Sequence, residues 1–419
     1  MTSLGESVQP PDLERESQVS TRMRVLKTVQ SYYPFQDRGG PVFKVRALAR
    51  SLAHRGHQVS VLTADLGLAG HSWDNLHIED CPWGLRAEED GVEAIYLPTF
   101  GHYRAITFNP RLVKFCGACL GDYDLVHFYG LYDLLGPTVS HFCRRRGVPY
   151  VIEPIGMYRP IDRNFGLKRF WHRSLGKSYV RNAAQIVATS EMEREDLLAE
   201  GVPSEKIVVR YNGVDVHSNM PAPCRGEFRS KWNIPSGEPL ILFLSRLIPR
   251  KGADILIEAF AKVCPDRGRL VIAGPGGEPG YPEYLKKCAE TSCVANRVTF
   301  TGAVYDEEKA AMFADADVFV LASRYENFAN VVAEAVAWEV PVIVSNTCGI
   351  HSLIEGRAGI VVPVGRDSIV SALARLLGDK DLYARFKVGC RQVADQLTWG
   401  TLSGQMENYY SEVLARSRA

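Results

Sequence analysis

With 419 residues the chain outruns a single domain of about 100 to 200 residues, and two domains are expected. Hydrophobic residues at 46% and charged residues at 23% exclude a disordered or fibrous protein. Lys plus Arg (49) balances Asp plus Glu (48), which excludes a global field that would draw the chain to nucleic acid or an anionic membrane, so any anion site must be local.

Residues 1–21 are rich in Ser, Glu, Gln and Pro without periodicity and read as a flexible leader. From Arg24 onward, short apolar runs alternate with amphipathic stretches, the pattern of parallel sheets covered by helices, so the fold class is α/β. RVLKTVQ is the first strand. Gly39 and Gly40 follow it, either as a tight turn or as a loop where backbone closely approaches a ligand. Pro41 opens a helix in which Val45, Leu48, Ala49 and Leu52 recur at helical spacing, and Gly56 ends it. QVSVLT, VEAIYL, LVHFYG, PYVIEP, QIVATS and KIVVRYN are the next strands.

Between about 214 and 238 the strand rhythm lapses around Pro221, Pro223, Pro235 and Gly237, which marks a linker, placed at 216–236 between domains at 22–215 and 237–398. Beyond it LILFLS, RLVIAG, RVTFTG, DVFVLAS and PVIVS each run into a polar or Gly-rich loop. Open α/β sheets bind ligands at that carboxyl end. In FLSRLIPRKGADILIEAF, Arg246 and Lys251 lie in a loop that leads into a helix, where two cations beside free N–H groups would hold phosphate; a merely solvated basic loop would read the same. Both side chains are expected to stand exposed in a cleft. Further on, Glu326 ends a strand loop and Glu334 lies in the following helix. Eight helical residues span roughly 12 Å, comparable to the distance from sugar to ribose in a nucleotide-sugar, although a helix-start acid and a solvated Glu are commonplace.

Two Asp-x-Asp pairs, Asp122 with Asp124 and Asp315 with Asp317, each precede an apolar strand and read as turn residues; no metal or other cofactor is expected. Cys116 with Cys119 and Cys288 with Cys293 lack the further ligands of a metal site, and reduced thiols of a cytoplasmic protein are expected. No apolar run reaches the roughly 18 to 20 residues of a membrane helix, so contact with a membrane would be at most peripheral, at its inner face.

SRLIPRKG, the IAGPGG loop, the segment from Glu326 to Glu334 and PVIVS together resemble, in order and spacing, the donor-binding half of family 4 glycosyltransferases. YYPFQDRGG, RGHQVSVLT, DLVHFYG and YNGVD extend the resemblance over about residues 24 to 416. It implies a GT-B fold of two Rossmann-like domains across a cleft, an acceptor-side N-terminal half, a terminal helix (399–419) crossing back to that half, and retaining sugar transfer to an acceptor hydroxyl. The partners it implies are a nucleoside-diphosphate sugar and a glycan, lipid-linked or small-molecule acceptor. It also implies that Arg246 and Lys251 hold the diphosphate, that Glu326 meets the transferred sugar and Glu334 the ribose, and that Gly274, Gly276, Asn327, Phe328, Ala329 and Asn330 line the donor site. The loop of Gly39 and Gly40 would lie beside donor phosphates and acceptor.

The chain departs from the family's pattern at Ile155, where a His often precedes the Gly, at Ala329 and Glu339, where Gly is usual, and at Ser352, where an acid is expected. His127 is a substitute candidate for the acceptor side, against an ordinary hydrogen-bonded strand residue. A non-catalytic protein that binds a nucleotide-sugar or glycan, and a nucleotide-sugar epimerase, are the alternatives of other classes.

Overall fold

The structure, a computed structural model, describes residues 22–35, 40–66, 76–103, 106–158, 176–215, 223–264 and 266–418. The leader at 1–21, Gly39 and residues 216–222 of the expected 216–236 linker lie outside the described residues; the rest of that segment is corrected to the second domain, where the helix Glu227–Lys231, Phe228 and Ile234 pack into the core.

Two sheets organise the chain, beside a two-stranded antiparallel ribbon of β6 (Gly101–Tyr103) and β7 (Ile106–Phe108). The first has nine strands in the order β11-β10-β9-β8-β1-β2-β5-β4-β3. Its parallel body is β1 (Arg24–Thr28), β2 (Gln58–Ala64), β5 (Val92–Leu97), β8 (Leu125–Tyr129), β9 (Tyr150–Glu153), β10 (Gln185–Ala188) and β11 (Ile207–Val209), the seven strands expected from the apolar runs. Antiparallel β3 (Ile78–Cys81) and β4 (Gly84–Glu89) extend one edge. They escape a reading by apolar runs because their side chains are largely solvated, as edge strands can be.

The second sheet is wholly parallel, in the order β14-β13-β12-β15-β16-β17. It comprises β12 (Leu240–Leu244), β13 (Arg269–Ala273), β14 (Val298–Gly302), β15 (Val318–Leu321), β16 (Val342–Ser345) and the short edge strand β17 (Gly359–Val362), which was not anticipated. Every residue of β12, β15 and β16 is buried, as helices on both faces of a parallel sheet require. Separate apolar cores form around the two sheets.

Both sheets reverse direction beside their first strand. The chain runs outward from β1 to β2 and β5, then restarts on the other side at β8; it runs from β12 to β13 and β14, then restarts at β15. Loops leaving the carboxyl ends of β12 and β15 therefore diverge and open a crevice between them, where ligands bind in such sheets.

The helix Trp399–Arg418 returns to the first sheet and packs along the helix Gly40–His54. Ser51 donates to Trp399 O (3.1 Å), and Arg55 pairs with Glu407 (2.6 Å). Among the described residues no helix is long and apolar enough to cross a membrane. All ten cysteines are free thiols.

Candidate functional site

Backbone conformation gathers the loops at the crevice. After β12 the chain passes Arg246, forms a bridge from Leu247 to Gly276 of the loop after β13, and turns through Pro249–Lys251 into the helix Ala253–Val263. Gly252 makes this turn at φ 74°, with the position of a Cβ only 2.1 Å from Ala322 O, so no side chain fits there. Gly274, at φ 132°, is pressed equally closely on Ser245 O. Arg250 O accepts from Arg324 N (2.8 Å) and Ser323 Oγ (3.1 Å), which ties the loop after β12 to the loop after β15. Glu326 N donates to Thr347 O and Gly349 N to Glu326 O, both at 2.9 Å, adding the loop after β16.

Arg246 is exposed, whereas Lys251 is only 11% exposed and its ammonium rests against the carboxylate of Glu326, itself 17% exposed. The expectation that both cations stand free is thus corrected for Lys251. Burial, and then the charges of Arg250 and Arg246, push the Lys251 ammonium down to about 8. The resulting pair holds a cation and an anion at the mouth of the crevice, one suited to a phosphate and the other to a hydroxyl.

Glu334 sits in the second turn of the helix Asn330–Ala337, half-buried, 2.7 Å from Lys309 Nζ. Helix begins only at Asn330, so the helical rise of roughly 12 Å from Glu326 does not apply; residues 326–329 are loop. Ala329 precedes this helix at φ 77° and Glu339 follows it at φ 57°. Positive φ is easy for Gly and costs other residues roughly 1–2 kcal/mol, which explains physically why Gly is usual at both places.

The side chains of Asn327, Phe328 and Asn330 meet loops of the first sheet. Asn327 Nδ2 donates to Thr189 Oγ1 (2.6 Å), Phe328 is 2% exposed and stacks on Tyr211 with ring centroids 6.0 Å apart, and Asn330 Oδ1 accepts from Asn212 Nδ2 (2.7 Å). Ala329 is 5% exposed.

His127 does not face an acceptor. It is fully buried, with Nδ1 2.6 Å from Tyr410 Oη and 3.2 Å from Tyr129 Oη, and with Nε2 3.6 Å from Glu153. Lys27 donates to Tyr129 (2.7 Å), Arg210 pairs with Glu153 (2.7 Å), and Lys44 pairs with the other oxygen of that carboxylate. Burial first, then Lys27, Arg210 and Lys44, hold the His127 imidazole well below its usual range, so it is neutral. This packed network joins the terminal helix to the first sheet through Tyr410; it has no acceptor surface. Gly40 opens the helix Gly40–His54 after the first strand.

Asp315 accepts from Gly226 N (2.5 Å) and Arg229 N (3.0 Å), and Asp317 from Leu240 N (2.8 Å), so this pair anchors the backbone entering the second sheet. Asp124 accepts from Arg24 N (2.7 Å). A cavity lined by Arg22, Gln58, Ser60, Arg86 and Glu93 lies at the amino ends of the first sheet's strands, away from these loops. The residues that sequence reasoning missed are Thr189, Glu193, Tyr211 and Asn212, which receive the 326–330 loop. Ser190 and Glu193 do form an S-x-x-E signature, which signals a helix start and nothing more.

Residues 225–392 match the family described as glycosyl transferases group 1, and residues 39–213 match the glycosyl transferase 4-like domain. The chain is 37% identical over 325 residues to a GDP-mannose-dependent alpha-(1-6)-phosphatidylinositol monomannoside mannosyltransferase of Mycobacterium tuberculosis, covering 68% of this chain and 83% of that one. It is 29% identical over 406 residues to a GDP-mannose-dependent alpha-mannosyltransferase of the same species, covering 94% and 98%. Among solved structures it resembles HepE of Anabaena in complex with UDP, with TM-score 0.74, 19% identity and coverage of 93% and 100%.

Proposed function

This chain belongs to the group 1, 4-like glycosyl transferases, and from that premise we propose how its residues divide the work of sugar transfer. It is a retaining GT-B glycosyltransferase that uses a nucleotide-sugar. Arg246 and Lys251 hold the diphosphate and stabilise the charge that develops on it as the glycosidic bond to phosphate breaks, an electrostatic contribution that is often the largest in catalysis. Glu326, placed by Lys251 at the mouth of the crevice, meets the transferred sugar, and Glu334 holds the ribose. Gly274 and Gly276 let the loop after β13 approach the donor, and Gly40 does the same from the acceptor side. The single observation that carries this reading is the contact between Lys251 and Glu326, which brings the loops after β12 and β15 together at the second sheet's switch point.

The first domain spans 22–215 and the second begins by 223 and runs to 398, since Phe228 and Ile234 of the expected linker pack into the second core; the terminal helix Trp399–Arg418 lies on the first. The donor is a nucleoside-diphosphate hexose. GDP-mannose is the first to test because two relatives carry that dependence in their names, with UDP-glucose second. The acceptor is a sugar hydroxyl on a glycan, lipid-linked or small-molecule carrier. No metal takes part, and the protein works in the cytoplasm, at most peripherally on a membrane.

Thermal-shift and transfer assays with GDP-mannose, UDP-glucose and ADP-glucose, each in excess EDTA, test the reading. A raised melting temperature with one donor and its transfer to an acceptor support it. Binding with neither transfer nor hydrolysis would favour a non-catalytic binder, and activity only after manganese or magnesium is restored would overturn the metal-free assignment.

A further inference from the structure

Glu193 is 2% exposed and has no part in the chemistry above. It is the third residue of the helix Glu191–Ala199, whose N-cap Ser190 accepts from Glu193 N (3.0 Å). In a capping box the Glu side chain would reach back to the cap residue's own N–H. Here the carboxylate reaches elsewhere. Its Oε2 accepts from Thr189 N (2.8 Å), Thr189 Oγ1 (2.7 Å) and Asn327 Nδ2 (3.3 Å), and its Oε1 accepts from Gly156 N (2.5 Å).

Gly156 and Ile155 have φ of 70° and 56°, and Met157 N closes the turn on Pro154 O at 3.1 Å. A left-handed Ile is strained, because the branched Cβ crowds the backbone, and such strain persists only where surrounding bonds overdetermine it. The Glu193 carboxylate supplies such a bond. On the other side, a Cβ at Gly156 would lie 2.7–2.9 Å from the Asn327 side chain, and one at Gly349 would lie 1.9 Å from Asn327 O. Asn327 is therefore wedged between the two halves, one residue from Glu326.

We propose that Glu193 is a positioning residue for sugar transfer: one buried carboxylate clamps the strained 155–156 turn of the first half to Asn327 of the donor loop, setting the two cleft walls in register around Glu326. This rests on the reading that Glu326 meets the transferred sugar. Gln at 193 would present N–H to at least one of the donors the carboxylate accepts, opening the clamp while leaving the diphosphate loops after β12 and β13 intact.

The test compares full-length wild type, Glu193→Gln, Asn327→Ala and the double variant. Calorimetric binding of GDP and UDP, steady-state transfer and small-angle scattering with nucleotide bound are measured for each. Glu193→Gln and Asn327→Ala are each expected to lower kcat about tenfold or more with nucleotide affinity within about threefold of wild type, and the double variant is expected to be no worse than the poorer single. Scattering is expected to show a larger maximum dimension in the variants. Wild-type kcat in either variant, additive losses, or a parallel loss of nucleotide affinity overturns the clamp. If Glu193→Gln does not fold, Asn327→Ala carries the same criteria alone. If the wild type binds nucleotide but transfers no sugar, the functional reading fails while scattering still decides the clamp: identical profiles for wild type and Asn327→Ala overturn it.

Discussion

The ammonium of Lys251 touches the carboxylate of Glu326 although 75 positions separate them in the chain, because the loops after β12 and β15 leave adjacent strands and are tied together where Arg250 O accepts from Arg324 N and Ser323 Oγ. The cation and the acid are therefore one unit. Lys251→Ala and Arg246→Ala are each expected to reduce kcat/KM about a hundredfold or more, the loss typical when a group that stabilises developing charge is removed. Glu326→Gln is expected to depress kcat. The Lys251→Ala/Glu326→Gln double variant is expected to lose much less than the product of the single losses, since each substitution already disables the unit. Multiplicative losses would show that the two residues act separately.

Because burial, Arg250 and Arg246 bring the Lys251 ammonium down to about 8, alkaline pH discharges it within reach of ordinary assays. The folded value lies below the ordinary one, so the charge is complete below about pH 7 and is lost as pH rises through about 8. In the free enzyme kcat/KM is expected to fall along that limb. Lys251→Arg, which stays charged, is expected to abolish the limb whatever its effect on rate. A pH–rate profile of both proteins decides this, and an unchanged alkaline limb in the Arg variant would assign it to another group.

Glu334 pairs with Lys309 across two half-exposed side chains, an ion pair of a kind that contributes about 0–1 kcal/mol to stability. Glu334→Gln is expected to leave the melting temperature nearly unchanged. Its effect should fall on donor binding: KM for the donor rises several-fold with kcat little altered, because ribose hydroxyls are gripped alike in ground and transition states. Wild-type KM in this variant would leave Glu334 as a solvated helix residue.

His127 is neutral in the fold because it is buried beside Lys27, Arg210 and Lys44. Its folded-state value is depressed, so the unfolded chain takes up the proton first and stability falls as pH drops below about 6.5, by up to about 1.4 kcal/mol per pH unit. His127→Gln is expected to have a shallower acid limb in denaturant titrations between pH 7 and pH 5. Equal slopes for the two proteins would mean that other groups govern acid unfolding.

Glu339 occupies φ 57° between the helix Asn330–Ala337 and β16, and its carboxylate pairs with the exposed Arg391 at 2.6 Å. Substitution to Ala and to Gly removes the same ion pair but only Gly removes the Cβ. Glu339→Gly is therefore expected to be more stable than Glu339→Ala by about 1 kcal/mol, the reverse of the order inside a helix. Denaturant midpoints of the two variants check this, and an Ala variant at least as stable as Gly would remove the strain argument.

Apolar runs of four to seven residues located all seven parallel strands of the first sheet and five of the six in the second, because a strand buried on both faces must be apolar throughout. Motif order in the sequence also singled out Arg246, Lys251, Glu326 and Glu334. Local sequence could not supply what depends on which loops meet. In the linear chain His127 reads only as a substitute for the His that Ile155 replaces, yet His127 is sealed under Tyr410, and Ile155 sits in a left-handed turn that Glu193 holds through Gly156 N. Asn327 and Phe328 sit within a donor motif, yet their side chains serve the contact between halves. Glu193 itself reads as an ordinary helix-start acid. Burial and periodicity are written along the chain every few residues, whereas the partner of a buried carboxylate is chosen by topology, which brings residues 156, 189, 193 and 327 to one point only after both sheets have formed.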